Sequence, residues 1–299
     1  MLDGGIGRII TSIPALLKYH KNHIDEEWYI MSAWWDFLLW GIPELQERTF
    51  NTNMKGIFNI FWHANKIITP EPYRVPSYYR NEISIREAFD IEINNSFDHS
   101  DLPEMVLNLS TQERRVAFDI IDQAKETFGK EKTVVIQPYG STAFIHNNQV
   151  YDDSLRSIPN SMVDYFIENL VKEYNVIYMG FNDFYDDRIF KPEYEPNIRE
   201  WAAIIEQSDY FIGCDSCGQH MCKALNKPAS VVIAGTHRKN VTYDDFHIIE
   251  RDIPFSPDAM RISDFQCQMS YRLNENRIDF TDDEIEYSYE EIVNIIENL

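Results

Sequence analysis

Basic residues are scarce in this 299-residue chain. Lys and Arg number 27 against 49 Asp and Glu, a formal net charge of −22. A surface that negative repels polyanions, so sequence-independent binding to nucleic acid is not expected, and an anionic membrane surface is disfavoured. One small phosphorylated ligand is still allowed, because it needs only two or three local donors. Cysteine is scarce too. There are four, three of them crowded into residues 214–222, which is no disulfide framework and points to a reducing compartment, the cytoplasm. No stretch has the length of apolar residues that spans a bilayer, and no charged start followed by an apolar run marks a secretory leader. Internal repeats and low-complexity tracts are also missing. What is present is a large apolar content, 44% hydrophobic and 14% aromatic, enough to bury a substantial core.

Elements alternate along the chain. "GGIGRIITSIPALLKYHKNH" reads as a glycine turn feeding a helix, with Pro14 expected to interrupt and bend it. "EWYIMSA" and "GIFNIFWH" read as buried strands, and 83–91 as a helix. From 111 onward the pattern is regular. Helices at 111–128, about 159–172, "IREWAAIIEQ" and 217–226 alternate with strands "TVVIQP", "NVIYMG", "DYFIGC" and "ASVVIAG". Nearly continuous apolar strands between helices predict a parallel sheet covered on both faces. "NNSFDHSDLPE" marks the boundary, giving domains at 1–108 and 109–285 with an amphipathic helix at 286–299. Ligands are expected at the carboxyl ends of the strands, in a cleft between the domains.

Four loops there or at helix starts carry glycine: "DGGIGR" (3–8), "QPYGST" (137–142), "MGFND" (179–183) and "GCDSCGQH" (213–220). Glycine permits close backbone approach, and N–H groups at a helix start favour an anion. In the last loop either Asp215 or Ser216 can cap the helix that follows. One reading has Asp215 only capping and His220 only packing; the other has the helix start and His220 holding a diphosphate. Cys214, Cys217 and Cys222 lack a second paired half, which counts against a zinc or iron–sulfur site. Cys217 at a helix start is a candidate thiol with a lowered pKa, though no partner base is identifiable. Arg156, three residues before Pro159, is either a solvated surface arginine or a cation that meets a phosphate.

Three stretches resemble glycosyltransferase family 9, the ADP-heptose:lipopolysaccharide heptosyltransferases and their relatives. "GGIGRIITSIPAL" is similar to that family's glycine turn and "T-L-P-A-L" run. "QPYGST" with the later "RSIP" is similar to its "P-G-A-S" and basic residue before "W-P". "SDYFIGCDSCGQHMCKALNKPASVVIAGT" follows its "A-D-L-x-V-x-x-D-T-G-x-x-H-x-A-x-A-L-x-x-P-x-V-x-x-F-G-x-T" without a gap from Asp215 to Thr236. The resemblance implies an α/β protein of GT-B architecture, two Rossmann-like domains facing each other. The family's first strand precedes the glycine turn, and "MLD" is too short to supply it, which leaves two readings: an abbreviated first strand, or a natural start other than Met1. It implies a nucleotide-diphosphate sugar donor, a hydroxyl acceptor such as a glycan, and transfer without metal or other cofactor. The implied donor side is Gly140, Ser141, Thr142, Arg156, Gly180, Asp215, Ser216, Gly218, His220, Gly235 and Thr236. On the acceptor side the glycine turn gives Gly5, Gly7 and Arg8; apart from the resemblance, "PYRVPSYYR" offers Tyr73, Arg74, Tyr79 and Arg80, a mix that suits sugar stacking and phosphate pairing. The tryptophans of "WWDFLLWG" (Trp34, Trp35, Trp40) read as ordinary core and surface aromatics, or as a sugar platform.

The chain departs from the family at one chemically important place. Where the family carries an aspartate after the last turn glycine, proposed as the base that deprotonates the acceptor, this chain has Arg8. Asp3 is the nearest carboxylate, so Asp3 and Arg8 are the candidate catalytic residues at the turn. The base can also lie elsewhere, be dispensable, or have been lost. Three other readings follow: a non-catalytic sugar-nucleotide or glycan-binding protein on the same scaffold, a nucleotide-sugar epimerase, and a transferase acting on modified nucleic-acid bases.

Overall fold

The computed structural model describes residues 1–147, 149–152, 154–180, 186–251 and 280–299. The chain forms two compact units, Met1–Asn108 and Leu109–Leu299.

In the first unit, α1 (Ile6–Asn22) begins directly after Gly4 and Gly5 and buries Ile9, Ile10, Ile13 and Leu16. It continues through Pro14, contrary to the expected interruption. Apolar side chains buried on both sides of the proline hold the axis despite the missing N–H donor. Strands β1 (Ile30–Ser32) and β2 (Thr49–Asn51) pair in parallel, and Leu2 adds a single parallel bridge to Ser32. Short helices α2 (Pro43–Gln46), α3 (Ile57–His63) and α4 (Pro76–Tyr79) follow. Helix α5 (Ile85–Asn94) opens on a Ser84/Glu87 capping box and packs against α1.

The expected strand "GIFNIFWH" is instead α3, and none of its residues is buried. A short apolar run fits both periods. Gly56 decides between them, since its left-handed backbone (φ 87°) turns the chain into a helix start.

The second unit supplies the sheet. Helix α6 (Thr111–Phe128) leads into β3 (Thr133–Gln137), a hairpin of β4 (Phe144–His146) and β5 (Gln149–Tyr151), α7 (Asn160–Glu173) and β6 (Asn175–Tyr178). Then come α8 (Ile198–Gln207), β7 (Tyr210–Cys214), α9 (Cys217–Ala224), β8 (Ala229–Ile233), α10 (Arg238–Val241), β9 (His247–Glu250) and α11 (Asp282–Glu297). Every residue of β3, β6, β7 and β8 is buried, as the continuous apolar runs predict. The core around them is built from Val134, Ile136, Met162, Phe166, Val176, Ile212 and Val232, with Ile285, Ile292 and Ile296 of α11.

The five strands are parallel in the order β6-β3-β7-β8-β9. The chain steps outward from β3 to β6, returns past β3 to β7, and then runs the other way. The winding therefore reverses between β3 and β7. Such a switch point leaves an open crevice beyond the carboxyl ends of its two strands, where doubly wound sheets bind ligands.

Candidate functional site

Four of the implied donor residues stand where that crevice opens. β7 ends at Cys214, and Asp215 and Ser216 lead into α9. Ser216 occupies the cap position with an extended backbone, but its side chain makes no cap bond. The cap comes from across the switch point. Gln137, the last residue of β3, accepts the Gly218 N–H on Oε1 at 2.9 Å, while its Nε2 donates to Ser216 Oγ and Cys217 Sγ at 3.4 and 3.5 Å. Gly218 has to be glycine, because a Cβ there would stand 2.4 Å from the Phe211 ring and 2.5 Å from Gln137 Oε1.

Asp215 is 5% exposed and accepts from Gln219 Nε2 at 3.1 Å. Burial pushes its carboxyl above the usual range, opposed by the Arg156 charge and the Gln219 hydrogen bond, with the Thr236 hydroxyl close by. His220 is also buried, one turn into α9, its Nδ1 2.6 Å from the Tyr243 hydroxyl. Gln219 is fully buried and its Oε1 has no hydrogen-bond partner, a vacant acceptor within the site.

The loop after β3 folds around Asp152. That carboxylate accepts from Thr142 Oγ1 (2.8 Å), Ser154 N–H (2.8 Å) and Ser157 Oγ (2.5 Å), and Ser157 Oγ accepts the Gly140 N–H at 2.9 Å. Burial would raise the Asp152 pKa, but hydrogen bonds from Ser154, Ser157 and Thr142 outweigh it and hold the carboxyl below its ordinary value. The loop is pinned to the end of β8, where Gly235 N–H donates to the Leu155 carbonyl at 2.7 Å. Leu155 is left-handed (φ 56°), and Arg156 follows it, its Nε donating to Ser154 Oγ at 3.2 Å.

The structure thus brings Gly140, Thr142, Arg156, Asp215, Ser216, Gly218, His220, Gly235 and Thr236 to the carboxyl ends of β3, β7 and β8. Ser141 is exposed on the same loop. Gly180 stands apart, beyond the edge strand β6, where a Cβ would meet the Tyr178 ring at 2.7 Å; residues 181–183 of "MGFND" lie outside the described residues. Gln137, Asp152, Gln219 and Tyr243 are additions that the sequence reading missed. Gln137 and Tyr243 act through contacts 81 and 23 positions away, whereas Asp152 and Gln219 bond to near neighbours in polar loops and turns that carry no pattern of their own; the strand register Gln137↔Gly213 exposes the first.

The thiol reading of Cys217, already without a partner base, loses its remaining support here. Burial pushes the Cys217 thiol above its ordinary value, against hydrogen bonds from Gln137 and Ser216, so this helix start does not activate it. Cys217 is half-buried, whereas Cys214 and Cys222 are buried; all three are free, and the latter two thiols are also shifted up. Among the described residues no three His, Cys, Asp or Glu side chains are grouped to hold a metal ion.

In the first unit, Gly5 is the residue before α1 and Gly7 lies within it. Arg8 turns onto the segment 70–73. Its Nη1 pairs with Glu71 Oε2 at 3.3 Å, Nη2 donates to the Pro70 carbonyl at 3.1 Å, and the guanidinium lies 5.2 Å from the Tyr73 ring centre. Asp3 is exposed and accepts the Gly4 N–H at 2.7 Å. Tyr79, Arg74 and Arg80 are exposed, with Arg80 paired to Glu82 at 2.7 Å. A cavity of about 810 Å³ in this unit is lined by Leu16, Trp28, Ile30, Ile60, Phe61 and Ile93 among others, and by none of the expected acceptor residues. Pocket size and the predicted chemistry therefore point to different places. The strand-end site is favoured by its topology and its convergent polar groups, whereas no strand end of the large sheet lines the cavity, its lining being a mixture of apolar residues with Glu26, Glu27, His63 and Lys66.

Comparison with solved structures defines the class of fold. It is the α/β, GT-B type carried by family 9 glycosyltransferases and ADP-heptose heptosyltransferases. The glycosyl transferase family 9 structure from Veillonella parvula DSM 2008 superposes with a TM-score of 0.67 at 9% identity, over 100% of this chain and 96% of that one. E. coli ADP-heptose LPS heptosyltransferase II gives 0.63 at 11% identity, over 99% and 98%. The iron-containing dodecameric glycosyltransferase TibC from enterotoxigenic E. coli H10407 gives 0.63 at 12%, over 100% and 77%. At these identities the likeness is one of fold. No protein-family model matches the sequence, and neither does any curated protein sequence. Among the described residues no helix is long and apolar enough to cross a membrane.

Proposed function

We propose that this chain is a glycosyltransferase that moves a sugar from a nucleotide-diphosphate sugar to a hydroxyl group of an acceptor, without a metal ion. The observation that carries the reading is the gathering of Arg156, Asp215, Gln219, His220 and Thr236 at the β3/β7 switch point of a fold shared with glycosyltransferases. In the transfer, the acceptor oxygen forms a bond to the anomeric carbon as the bond from that carbon to the diphosphate breaks. The departing electron pair goes to the diphosphate. Arg156, a His220 N–H and the positive end of the α9 dipole are the groups that meet this charge. Tyr243 orients the His220 ring, and Asp215 with the vacant Gln219 Oε1 takes hydroxyl protons of the donor in hydrogen bonds. Arg8 is a guanidinium and stays protonated, so it is no base; the proton lost by the acceptor hydroxyl goes to Asp3, the carboxylate that the glycine turn offers.

The solved TibC complex holds ADP-D-β-D-heptose, which makes ADP and ADP-sugars the first donors to try. The test is release of nucleoside diphosphate from a donor panel in EDTA, with and without candidate hydroxyl acceptors. Acceptor-dependent release that Arg156→Ala and His220→Ala abolish supports the reading. Release that needs a divalent ion contradicts its metal-free part, and sugar isomerised with no acceptor present contradicts transfer.

Arg8, locked onto Glu71 where the resembled family has an aspartate, favours a second reading in which the chain binds the donor and does not turn it over. Tight donor binding with no product under any acceptor would establish that alternative.

A further inference from the structure

The N-terminal unit carries a surface that sugar transfer does not account for. Phe58 and Trp62 stand one turn apart on α3, 65% and 71% exposed, with ring centres 5.6 Å apart. Exposed Met54, Phe61 and Ile67 extend the patch along the chain. Behind the helix, Ile60 and Phe61 line the 810 Å³ cavity, and no residue of α3 is buried. Contiguous apolar surface of this kind marks a contact site.

Charge identifies the contact. Residues 48–70 contain neither Asp nor Glu, in a chain with 49 of them, and they carry Arg48, Lys55, His63 and Lys66. Lys55, His63 and Lys66 are exposed on either side of the aromatic pair. The two carboxylates that share the cavity with α3 are already engaged, Glu26 by His23 at 2.9 Å and Glu27 by the Tyr29 hydroxyl at 2.6 Å. A two-fold pairing of two copies through this patch would set Lys55, His63 and Lys66 of one against those of the other, which like-charge repulsion disfavours. The patch suits a surface that is apolar beneath and anionic on top.

We propose that Phe58 and Trp62, flanked by Lys55 and Lys66, seat the N-terminal unit on an anionic phospholipid surface. Aromatic rings settle at the boundary between headgroups and acyl chains, and lysines beside them attract anionic headgroups. The chain's total charge disfavours such a surface at long range. At physiological ionic strength that repulsion fades over about 8 Å, so the docking patch governs the contact.

The test needs no turnover, so it stands or falls independently of the transferase reading. The full-length chain is floated with phosphatidylcholine vesicles, with and without phosphatidylglycerol, at physiological ionic strength. The wild type is expected to float with the anionic vesicles. Phe58→Ser/Trp62→Ser should lower its partitioning by about tenfold or more, and Lys55→Glu/Lys66→Glu should lower it on the anionic vesicles only. All four positions are exposed, and melting curves check that the variants stay folded. Phe97→Ser and Phe118→Ser, at exposed aromatics elsewhere, should leave flotation unchanged. Three results would overturn the proposal: no flotation of the wild type, undiminished flotation of Phe58→Ser/Trp62→Ser, or a vesicle-free self-association that this double variant abolishes.

Discussion

Replacing Gln137 by glutamate separates the two roles of the α9 start. The wild-type amide caps the helix by accepting the Gly218 N–H at 2.9 Å. A carboxylate of the same length keeps an acceptor there, and the Ser216 hydroxyl and Cys217 thiol can rotate to donate to it. The cap therefore survives, but a negative charge now sits within one helical turn of the proposed diphosphate site. With an effective dielectric near 20, each unit charge about 8 Å away costs roughly 2 kcal/mol. Nucleoside diphosphate affinity should fall by at least roughly 30-fold, with the melting temperature little changed. Gln137→Ala should do the opposite. It orphans the buried Gly218 N–H at a cost of about 1–3 kcal/mol, lowering the melting temperature by roughly 3–10 °C, while adding no charge against the ligand. Calorimetric titration of both variants, with melting curves, distinguishes the effects. Unchanged diphosphate affinity in a folded Gln137→Glu protein would refute anion binding at this helix start.

Other expectations follow from the same geometry. Gly235→Ala puts a Cβ 2.3 Å from Leu155 Cβ and 2.8 Å from its carbonyl oxygen; overpacking should cost about 1–3 kcal/mol and displace Arg156, which paired melting and nucleotide-binding curves would register. Asp152 has a lower pKa folded than unfolded, so its stabilising contribution is complete above the unfolded value of about 3.9 and is lost as pH falls through the folded value. The stability gap between wild type and Asp152→Asn should therefore be constant at neutral pH and narrow below about pH 4; a gap that widens in acid contradicts this assignment. Cys217, with its thiol pushed up, should resist alkylation at neutral pH in the folded protein, and Cys217→Ser should leave nucleotide affinity within about threefold.

The sheet of the second unit was legible because its strands are buried on both faces and read as unbroken apolar runs. "TVVIQ", "NVIY", "YFIGC" and "ASVVI" are observed strands, nearly to the residue. β9, "HIIE", escaped because it is short, flanked by polar residues and at the sheet edge. The hairpin β4–β5 escaped because its exposed strands of three residues carry no burial pattern. α3 was misread for the opposite reason, an apolar run that is not buried at all. At the site, Asp215, His220 and Thr236 are visible through a gapless motif. Gln137 and Tyr243 are not, because they reach α9 from residues 81 and 23 positions away. Such contacts exist only once the strand order is set, and the switch point between β3 and β7 is likewise a property of that order.

The most direct test of the central claim is a thermal-shift panel of nucleoside diphosphates and their sugars, in EDTA and in magnesium, on wild type and His220→Ala. A ligand that binds only the folded chain raises the midpoint by mass action, about 2.7 kcal/mol of stability at a hundred times its dissociation constant. The account predicts that one nucleotide series stabilises the wild type in EDTA and that His220→Ala loses most of the shift. No shift with any nucleotide, or an equal shift in His220→Ala, would contradict it.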